Sequence, residues 1–202
     1  HEGRLCLNGL KSLSDAAAES LSKHEGLGNR SRYLALGPTS LSDAAAESLS
    51  KHKGVLHLDG LTSLSDAAVE SLSKHKGRFI ASEGTLSLNG LTELSDAAAE
   101  SLSKHEGRLC LNGLKSLSDA AAASLSKHEG SLSLDSLFSL SDAAAESLSK
   151  HTGGLALAGL FSLSDAAAES LSKHEGGSLS CCGLANLPAS AAQILRDAGH
   201  GE

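Results

Sequence analysis

Three residue types that can act as nucleophile, acid–base catalyst or metal ligand recur along this chain in a fixed order. A serine and an aspartate, first seen as Ser14 and Asp15, are followed by a histidine, His24. Together they could form a hydrolytic triad, and stacked columns of histidine or aspartate could bind a transition metal or calcium. The set is copied in seven units, however, whereas a catalytic set is needed once. The pattern therefore predicts no enzyme and no catalytic residues.

The same residues suit the two ends of a short helix. Serine and aspartate favour the helix N-cap, and the helix dipole favours a carboxylate in the first turn and a cation in the last. We therefore expect Asp15, Asp43 and Asp66 to cap helices rather than form a calcium ladder. We also expect the histidines to cap helix C-termini in contact with solvent, without a bound metal or cofactor. These histidines are His24, His52, His75, His105, His128, His151 and His174.

The elements that position these residues come from a repeat. The segment Leu-Ser-Asp-Ala-Ala returns every 23 residues over most of the chain, with two longer steps of 28 and 30 residues. A short fixed period is typical of a solenoid, in which each unit buries its apolar side against its neighbours. The segment begins at Leu13, Leu41, Leu64, Leu94, Leu117, Leu140 and Leu163.

Each unit combines two hydrophobic periodicities. Alternating leucines, as in Leu5-Cys6-Leu7, indicate a short strand with one buried face, so that Leu88 faces the core and Ser87 faces solvent. Residues 15–23 then place their alanines and a leucine on one face of a helix. Gly26 suits the left-handed conformation that ends many helices.

These residues resemble a known family. The segment L-x-L-x-G-L-x-x-L-S-D is similar to the cysteine-containing, ribonuclease-inhibitor-like leucine-rich repeat, and the uniform 23-residue unit is similar to certain bacterial arrays. The resemblance implies an α/β repeat solenoid, a right-handed horseshoe with a parallel sheet on the concave face and short helices on the convex face. It also implies a concave face that binds partners. Leucine replaces the family's cysteine or asparagine at Leu10, Leu61, Leu91, Leu114, Leu137 and Leu160.

The repeat also predicts the domain organisation. Residues 1–176 hold seven leucine-rich repeats of about 23 residues, with insertions near 28–33 and 78–84 between a helix and the next strand. Residues 177–202 form a divergent eighth unit, which we expect to be a C-terminal cap. His1-Glu2-Gly3 copies the end of a unit and the chain contains no Met, so we expect a fragment of a longer array.

Arginine and aromatic side chains are scarce here, and they dominate many protein interfaces. They concentrate in the insertions, where the candidate binding residues are Arg30, Arg32, Tyr33, Arg78 and Phe79. The candidates on the concave face are Arg4, His57, Asp59, Asn89, Arg108, Asn112 and Asp135. The alternative is that the insertions are surface loops without a binding role, which a fold tolerates because long loops cost little stability. Phe138 and Phe161 occupy equal positions in adjacent units, where we expect them to stack.

Charge and hydropathy reduce the number of function classes that fit this sequence. The formal net charge is −7 and acids alternate with bases, so neither a nucleic-acid footprint nor a polybasic membrane patch is present. No apolar run reaches the roughly 18 residues of a membrane span. We expect a non-enzymatic scaffold that binds a protein partner through the concave face and through one edge of the horseshoe. Both insertions project from this edge, which we call the insertion edge. The alternatives are a structural spacer or surface-array segment, and an interaction module of a larger enzyme.

Overall fold

The computed structural model describes residues 4–24, 33–76, 84–181 and 184–200. Within them, strands alternate with α-helices, and a 3₁₀ turn at Leu184–Asn186 precedes the last helix. The strands are β1 (Arg4–Leu7), β2 (Tyr33–Leu36), β3 (Val55–His57), β4 (Leu86–Ser87), β5 (Leu109–Cys110), β6 (Leu132–Ser133), β7 (Leu155–Ala156) and β8 (Leu179–Ser180). The helices are α1 (Asp15–Ser22), α2 (Asp43–Ser50), α3 (Asp66–Ser73), α4 (Asp96–Leu102), α5 (Asp119–Leu125), α6 (Asp142–Ser149), α7 (Asp165–Leu171) and α8 (Ala189–Asp197).

The eight strands form one parallel sheet whose spatial order follows the chain from β1 to β8. Each helix contacts the next helix and each strand contacts the next strand, so the chain is a two-layer coil. The predicted α/β repeat solenoid is confirmed. Packed helices need more room than the roughly 4.8 Å between paired strands, so such a coil bends towards its sheet. We therefore call the outward side of the sheet the concave face.

Leucines at alternate strand positions build the inner side of the sheet. Leu34 pairs with Leu56, and Leu56 pairs with Leu86, so a column of leucine runs through the core. Leu88 is fully buried, as the alternation predicts. Leu61, in the turn after β3, is also fully buried. The leucine column that departs from the family pattern thus contributes apolar packing.

A serine N-cap begins each of the first seven helices. The Ser65 hydroxyl accepts a hydrogen bond from the Ala68 N–H at 3.0 Å, and Asp66 opens α3. The Asp66 carboxylate in turn accepts a hydrogen bond from Ser95 Oγ of the following unit at 2.5 Å. Serine is therefore the cap, whereas the aspartate that was expected to share this role links neighbouring helices. The other links join Ser42 to Asp15, Ser65 to Asp43, Ser118 to Asp96, Ser141 to Asp119 and Ser164 to Asp142.

In the later units, the glycines between a helix and the next strand allow close contact between units. A Cβ atom at Gly153 would lie 2.1 Å from Gly130 O, and one at Gly130 would lie 1.9 Å from Gly107 O. Among the described glycines, only Gly107 and Gly199 have a positive φ. The left-handed role expected at Gly26 lies outside the described residues; of its equivalents, Gly107 has a positive φ of 133°, whereas Gly130 and Gly153 do not have a positive φ.

The second unit is one residue shorter than the standard repeat. Tyr33 pairs with Val55, 22 residues later, whereas Leu109 pairs with Leu132, 23 residues later. Tyr33 also pairs with the first residue of β1 and is itself the first residue of β2. It therefore belongs to the sheet, and not to the insertion in which the sequence placed it.

Candidate functional site

The concave face carries three rows of side chains. The first row precedes the first inward leucine of each unit, the middle row lies between the two inward leucines, and the third row follows the second. The first row includes Arg4, Tyr33, Val55, Thr85 and Arg108. The middle row includes Cys6, Ala35, His57, Ser87, Cys110 and Ser133. The third row includes Asn8, Asp59, Asn89, Asn112 and Asp135.

Four of the predicted binding residues meet at the β1 end of the concave face. The guanidinium carbon of Arg4 lies 4.4 Å from the centroid of the Tyr33 ring. The Tyr33 and His57 rings are 4.8 Å apart and tilted by 40°. His57 Nδ1 donates a hydrogen bond to Asp59 Oδ2 at 3.3 Å. These contacts form a continuous path across β1, β2 and β3, and we call the four residues the arginine–aromatic cluster.

The cluster is accessible to solvent, and contacts between its members hold the side chains in place. Arg4 is exposed, Tyr33 is half-buried, and the side chains of His57 and Asp59 are 27% and 42% exposed. Burial acts to raise the pKa of Asp59, but hydrogen bonds from His57, from Ser87 and from a backbone N–H outweigh it and hold this pKa below its usual value. Asp59 is therefore ionised at neutral pH. The cluster presents a cation at one end and an anion at the other.

The third row is a ladder of hydrogen bonds between units. Asp59 Oδ1 accepts from the Asn89 N–H at 3.0 Å, and Asn89 Oδ1 accepts from the Asn112 N–H at 2.9 Å. Asn112 Oδ1 accepts from the Asp135 N–H at 2.9 Å, and Asp135 Oδ1 accepts from the Ala158 N–H at 3.1 Å. Backbone N–H groups in a packed turn need such partners. These four candidate binding residues therefore hold the units together as well as lining the concave face.

Ser87 is fully buried, although the strand alternation predicts that it faces solvent. Its hydroxyl donates to Asp59 Oδ1 at 2.5 Å and accepts from Asn89 Nδ2 at 2.8 Å. Side chains on neighbouring parallel strands are close enough to bond across the sheet, and here they enclose the serine. The prediction that Ser87 is exposed is therefore wrong.

The other predicted binding residues are not part of the cluster. Arg108 is exposed on the first row beside β5, four units along the solenoid from Arg4. Arg30, Arg32, Arg78 and Phe79 lie outside the described residues. The structure thus brings together the candidates of the first three strands and leaves Arg108 by itself.

Phe138 and Phe161 stack as predicted, with ring centroids 5.2 Å apart and planes inclined by 20°. They lie in the turns that lead to α6 and α7, where the Phe161 N–H donates to Phe138 O at 2.9 Å. Each phenylalanine is 55% exposed. They form a small apolar patch on the edge where strands lead to helices, which is opposite the insertion edge.

Three cysteines lie within the described residues. Cys6 and Cys110 are free thiols, as expected from their positions four units apart, and Cys181 is buried. Burial raises the pKa of Cys110, which disfavours its thiolate. Within the described residues, no three or more His, Cys, Asp or Glu side chains come together as a metal site.

Six of the seven repeated histidines are buried and His24 is partly buried, which corrects the expectation that they cap helices in contact with solvent. Six of them form a column in which neighbouring ring centroids lie 6.0 to 6.4 Å apart and the ring planes differ by at most 13°. The rings pack against glycine, since a Cβ atom at Gly130 would lie 3.0 Å from His128 Nε2. The imidazole ring does not cap the helix. The backbone does, because the His128 N–H donates a hydrogen bond to Leu125 O at the end of α5. The members of this histidine column are His52, His75, His105, His128, His151 and His174.

In four members of the column, one ring nitrogen lies within hydrogen-bond distance of a backbone carbonyl of the preceding unit. His75 Nε2 donates to Gly54 O at 2.8 Å. His200, in the divergent last unit, also contacts a carbonyl of the preceding unit, with Nε2 3.2 Å from Ser172 O. The column therefore links successive units through side chains that the helix-dipole argument assigned to solvent.

Burial controls the ionisation of the column. It lowers the pKa of His75 and of His128 to about 4, and charge repulsion from the neighbouring imidazoles acts in the same direction. Burial also lowers the pKa of His105 and His151. One sequence signal indicates the burial: in the recurring His-x-Gly segment the middle residue varies among Glu, Lys and Thr, whereas His and Gly do not vary.

The fold and the site define a repeat protein of the α/β solenoid class. None of the described helices is long and apolar enough to cross a membrane. No protein-family model matches the chain, and no curated protein matches it either.

Proposed function

We propose that this chain is a leucine-rich-repeat protein of the cysteine-containing type and a non-enzymatic scaffold for a protein partner. The resemblance rests on the unit L-x-L-x-G-L-x-x-L-S-D, and the parallel stack of strand, turn and helix agrees with it. Such a stack offers an extended surface with a regular spacing of side chains, which suits a macromolecule better than a small substrate.

The arginine–aromatic cluster is the observation that carries the binding proposal. Arginine and tyrosine are enriched among the residues that supply most of the binding energy in protein interfaces. Arg4 and Tyr33 already contact each other, and Tyr33 contacts His57, so little side-chain entropy is lost when a partner binds. The rest of the concave face carries mainly short side chains. We therefore assign the main contact to the surface of β1, β2 and β3.

The insertion edge adjoins this surface through the chain itself. Residues 28–32 lead directly into Tyr33, and residues 78–83 lead into the start of the fourth unit at Thr85. Both insertions therefore enter the sheet on the side of the first row. This connection supports a partner that contacts the cluster together with Arg30, Arg32, Arg78 or Phe79.

The proposal is tested by comparing two double variants in capture from an extract of the native host. We expect Arg4→Ala with Tyr33→Ala to lower the recovery of a specific partner at least about tenfold, because it removes the anchoring side chains. Phe138→Ala with Phe161→Ala, on the opposite edge, is the control and should leave recovery unchanged. The affinity of the recovered protein for each variant is then measured by calorimetry.

Two results would contradict the proposed binding surface or the proposed binding function. Equal affinity of the Arg4/Tyr33 variant and the parent would place the interface on Arg108 or on the insertions. Failure to recover any partner would favour the structural spacer, which the near-identity of the exposed Glu–Lys pairs supports. Such pairs include Glu19 with Lys23 and Glu146 with Lys150.

A further inference from the structure

The rings of the histidine column are buried and have few hydrogen-bond partners. Where a ring is bonded, one of its nitrogens donates to a backbone carbonyl of the preceding unit, as His174 Nδ1 does to Ser149 O at 3.3 Å and His105 Nε2 does to Gly84 O at 3.2 Å. Both ring nitrogens of His128 and of His151 are buried and have no hydrogen-bond partner within the described residues. A neutral imidazole carries one N–H, whereas an imidazolium carries two N–H groups and a charge that burial disfavours. The column therefore holds neutral rings and opposes their protonation.

Charged rings repel one another in this column. Adjacent ring centroids lie about 6 Å apart, so a proton on His128 opposes protonation of His105 and His151 on either side. This repulsion is strong in a buried setting of low dielectric constant. The folded column therefore takes up fewer protons than the same histidines do in the unfolded chain.

Few charged groups are placed to offset that repulsion. Glu106 favours the charged form of His105. The groove beside His151 is lined by the charged side chains Glu146, Lys150, Lys173 and Glu175. The lysine before a column histidine points outward and pairs with a glutamate of its own helix, as Lys150 does with Glu146 at 3.0 Å. The groups that otherwise act on these rings are backbone carbonyls and neighbouring imidazoles.

We propose that the histidine column is an acid-sensitive element, which joins the repeat units while its rings are neutral and separates them when the rings are protonated. This property goes beyond the binding role proposed above and does not depend on it. A partner held across several strands would be released in acid as a consequence.

The direction of the effect follows from proton uptake. A histidine has an ordinary pKa of 6.5, whereas burial lowers the pKa of His75 and His128 in the folded chain to about 4. Between these values the unfolded chain binds more protons than the folded one, so stability is present above pH 6.5 and is lost as the pH falls towards 4. The hydrogen bonds to Asp59 hold its pKa below 3.8, so this carboxylate titrates in a lower range.

The test measures urea unfolding by circular dichroism between about pH 7.5 and about pH 5. We expect the urea midpoint of the parent to fall steeply over this range. The triple variant His105→Gln, His128→Gln and His151→Gln removes half of the column. Its urea midpoint should therefore fall by about half as much as that of the parent over the same pH range. An equal loss in the triple variant and the parent would overturn the proposal.

A second measurement does not depend on the variants folding. Imidazole resonances of the intact protein are followed by NMR during acid titration at low temperature. We expect His75 and His128 to stay neutral at least about one pH unit below 6.5, and His105 and His151 to stay neutral below 6.5, until the folded signals disappear together. If all histidines titrate near 6.5 while the fold persists, the column is not acid-sensitive and the proposal fails.

Discussion

At the scale of single residues, polar side chains are used mainly to join one unit to the next. Asn112 shows this most completely, because its Oδ1 accepts from both Ser133 Oγ at 2.8 Å and the Asp135 N–H at 2.9 Å. Its own N–H donates to Asn89 Oδ1. Such a group is costly to replace, because the Asp135 N–H is then left unpaired in a packed turn.

Substitution of Asn112 by leucine should therefore destabilise the chain. We expect Asn112→Leu to lower the free energy of unfolding by about 1–3 kcal/mol, since it leaves the Asp135 N–H without its acceptor, although the Ser133 hydroxyl can still donate to Asp135 Oδ2. Asn8→Leu makes the same change at the exposed first member of the third row and should cost less. The comparison uses urea unfolding at neutral pH. Equal losses at the two positions would mean that the ladder contributes nothing beyond burial of leucine.

At the scale of the elements, the helices depend on their neighbours. The first seven have only seven or eight residues, which is too short for a helix to be stable alone in water. Each gains a serine cap, and several gain a Glu–Lys pair such as Glu70 with Lys74 at 3.0 Å. Exposed pairs of this kind contribute about 0.2–0.5 kcal/mol each. Contact with the adjacent units must therefore provide most of the stability.

Two adjacent glycines test how closely the units pack. Gly153→Ala would place a Cβ atom 2.1 Å from Gly130 O, so we expect it to destabilise the chain by about 2 kcal/mol or more. Gly154→Ala is a matched control, because the nearest atom to its Cβ, Ser131 Oγ, lies 3.5 Å away. The melting temperatures of the two variants, measured by thermal unfolding, show whether the units pack this closely. Similar melting temperatures would show that the backbones separate easily to admit a methyl group.

At the scale of the whole molecule, one uniform stack ends in a different unit. Helix α8 begins after Pro188, which provides no side-chain cap, and it buries Ala191, Ala192 and Leu195 against the preceding repeat. Pro188 also lacks the hydroxyl that earlier units use to bond the preceding aspartate. In a solenoid each unit covers the core of its neighbour, so the last unit must cover the seventh.

Removal of this unit should expose the core. We expect a chain ending at residue 176 to self-associate, because Leu155, Leu157 and Leu171 lose their cover. Light scattering measures the state of association, and a chain ending at residue 200 serves as the control. A monomeric 1–176 chain with the stability of the parent would show that residues 177–202 are not a cap.

The sequence by itself determined the architecture, because periodicity is a local property. Alternating leucines placed the strands, and Ser-Asp placed the helix starts at positions such as Ser65 and Asp66. The buried state of Leu88 followed from the same alternation. Repetition then allowed only a stack, in which each unit covers the apolar side of the next.

Only the tertiary structure decided what each polar side chain meets in the neighbouring unit. His128 and Ser87 looked exposed from their own helix and strand, but carbonyls and side chains of adjacent units enclose them. Tyr33 joined Arg4 and His57 because the second unit is one residue short, which moves the strand start relative to the insertion. Contacts between residues 20 to 30 positions apart depend on how units stack, and a pattern within one unit contains no record of that stacking.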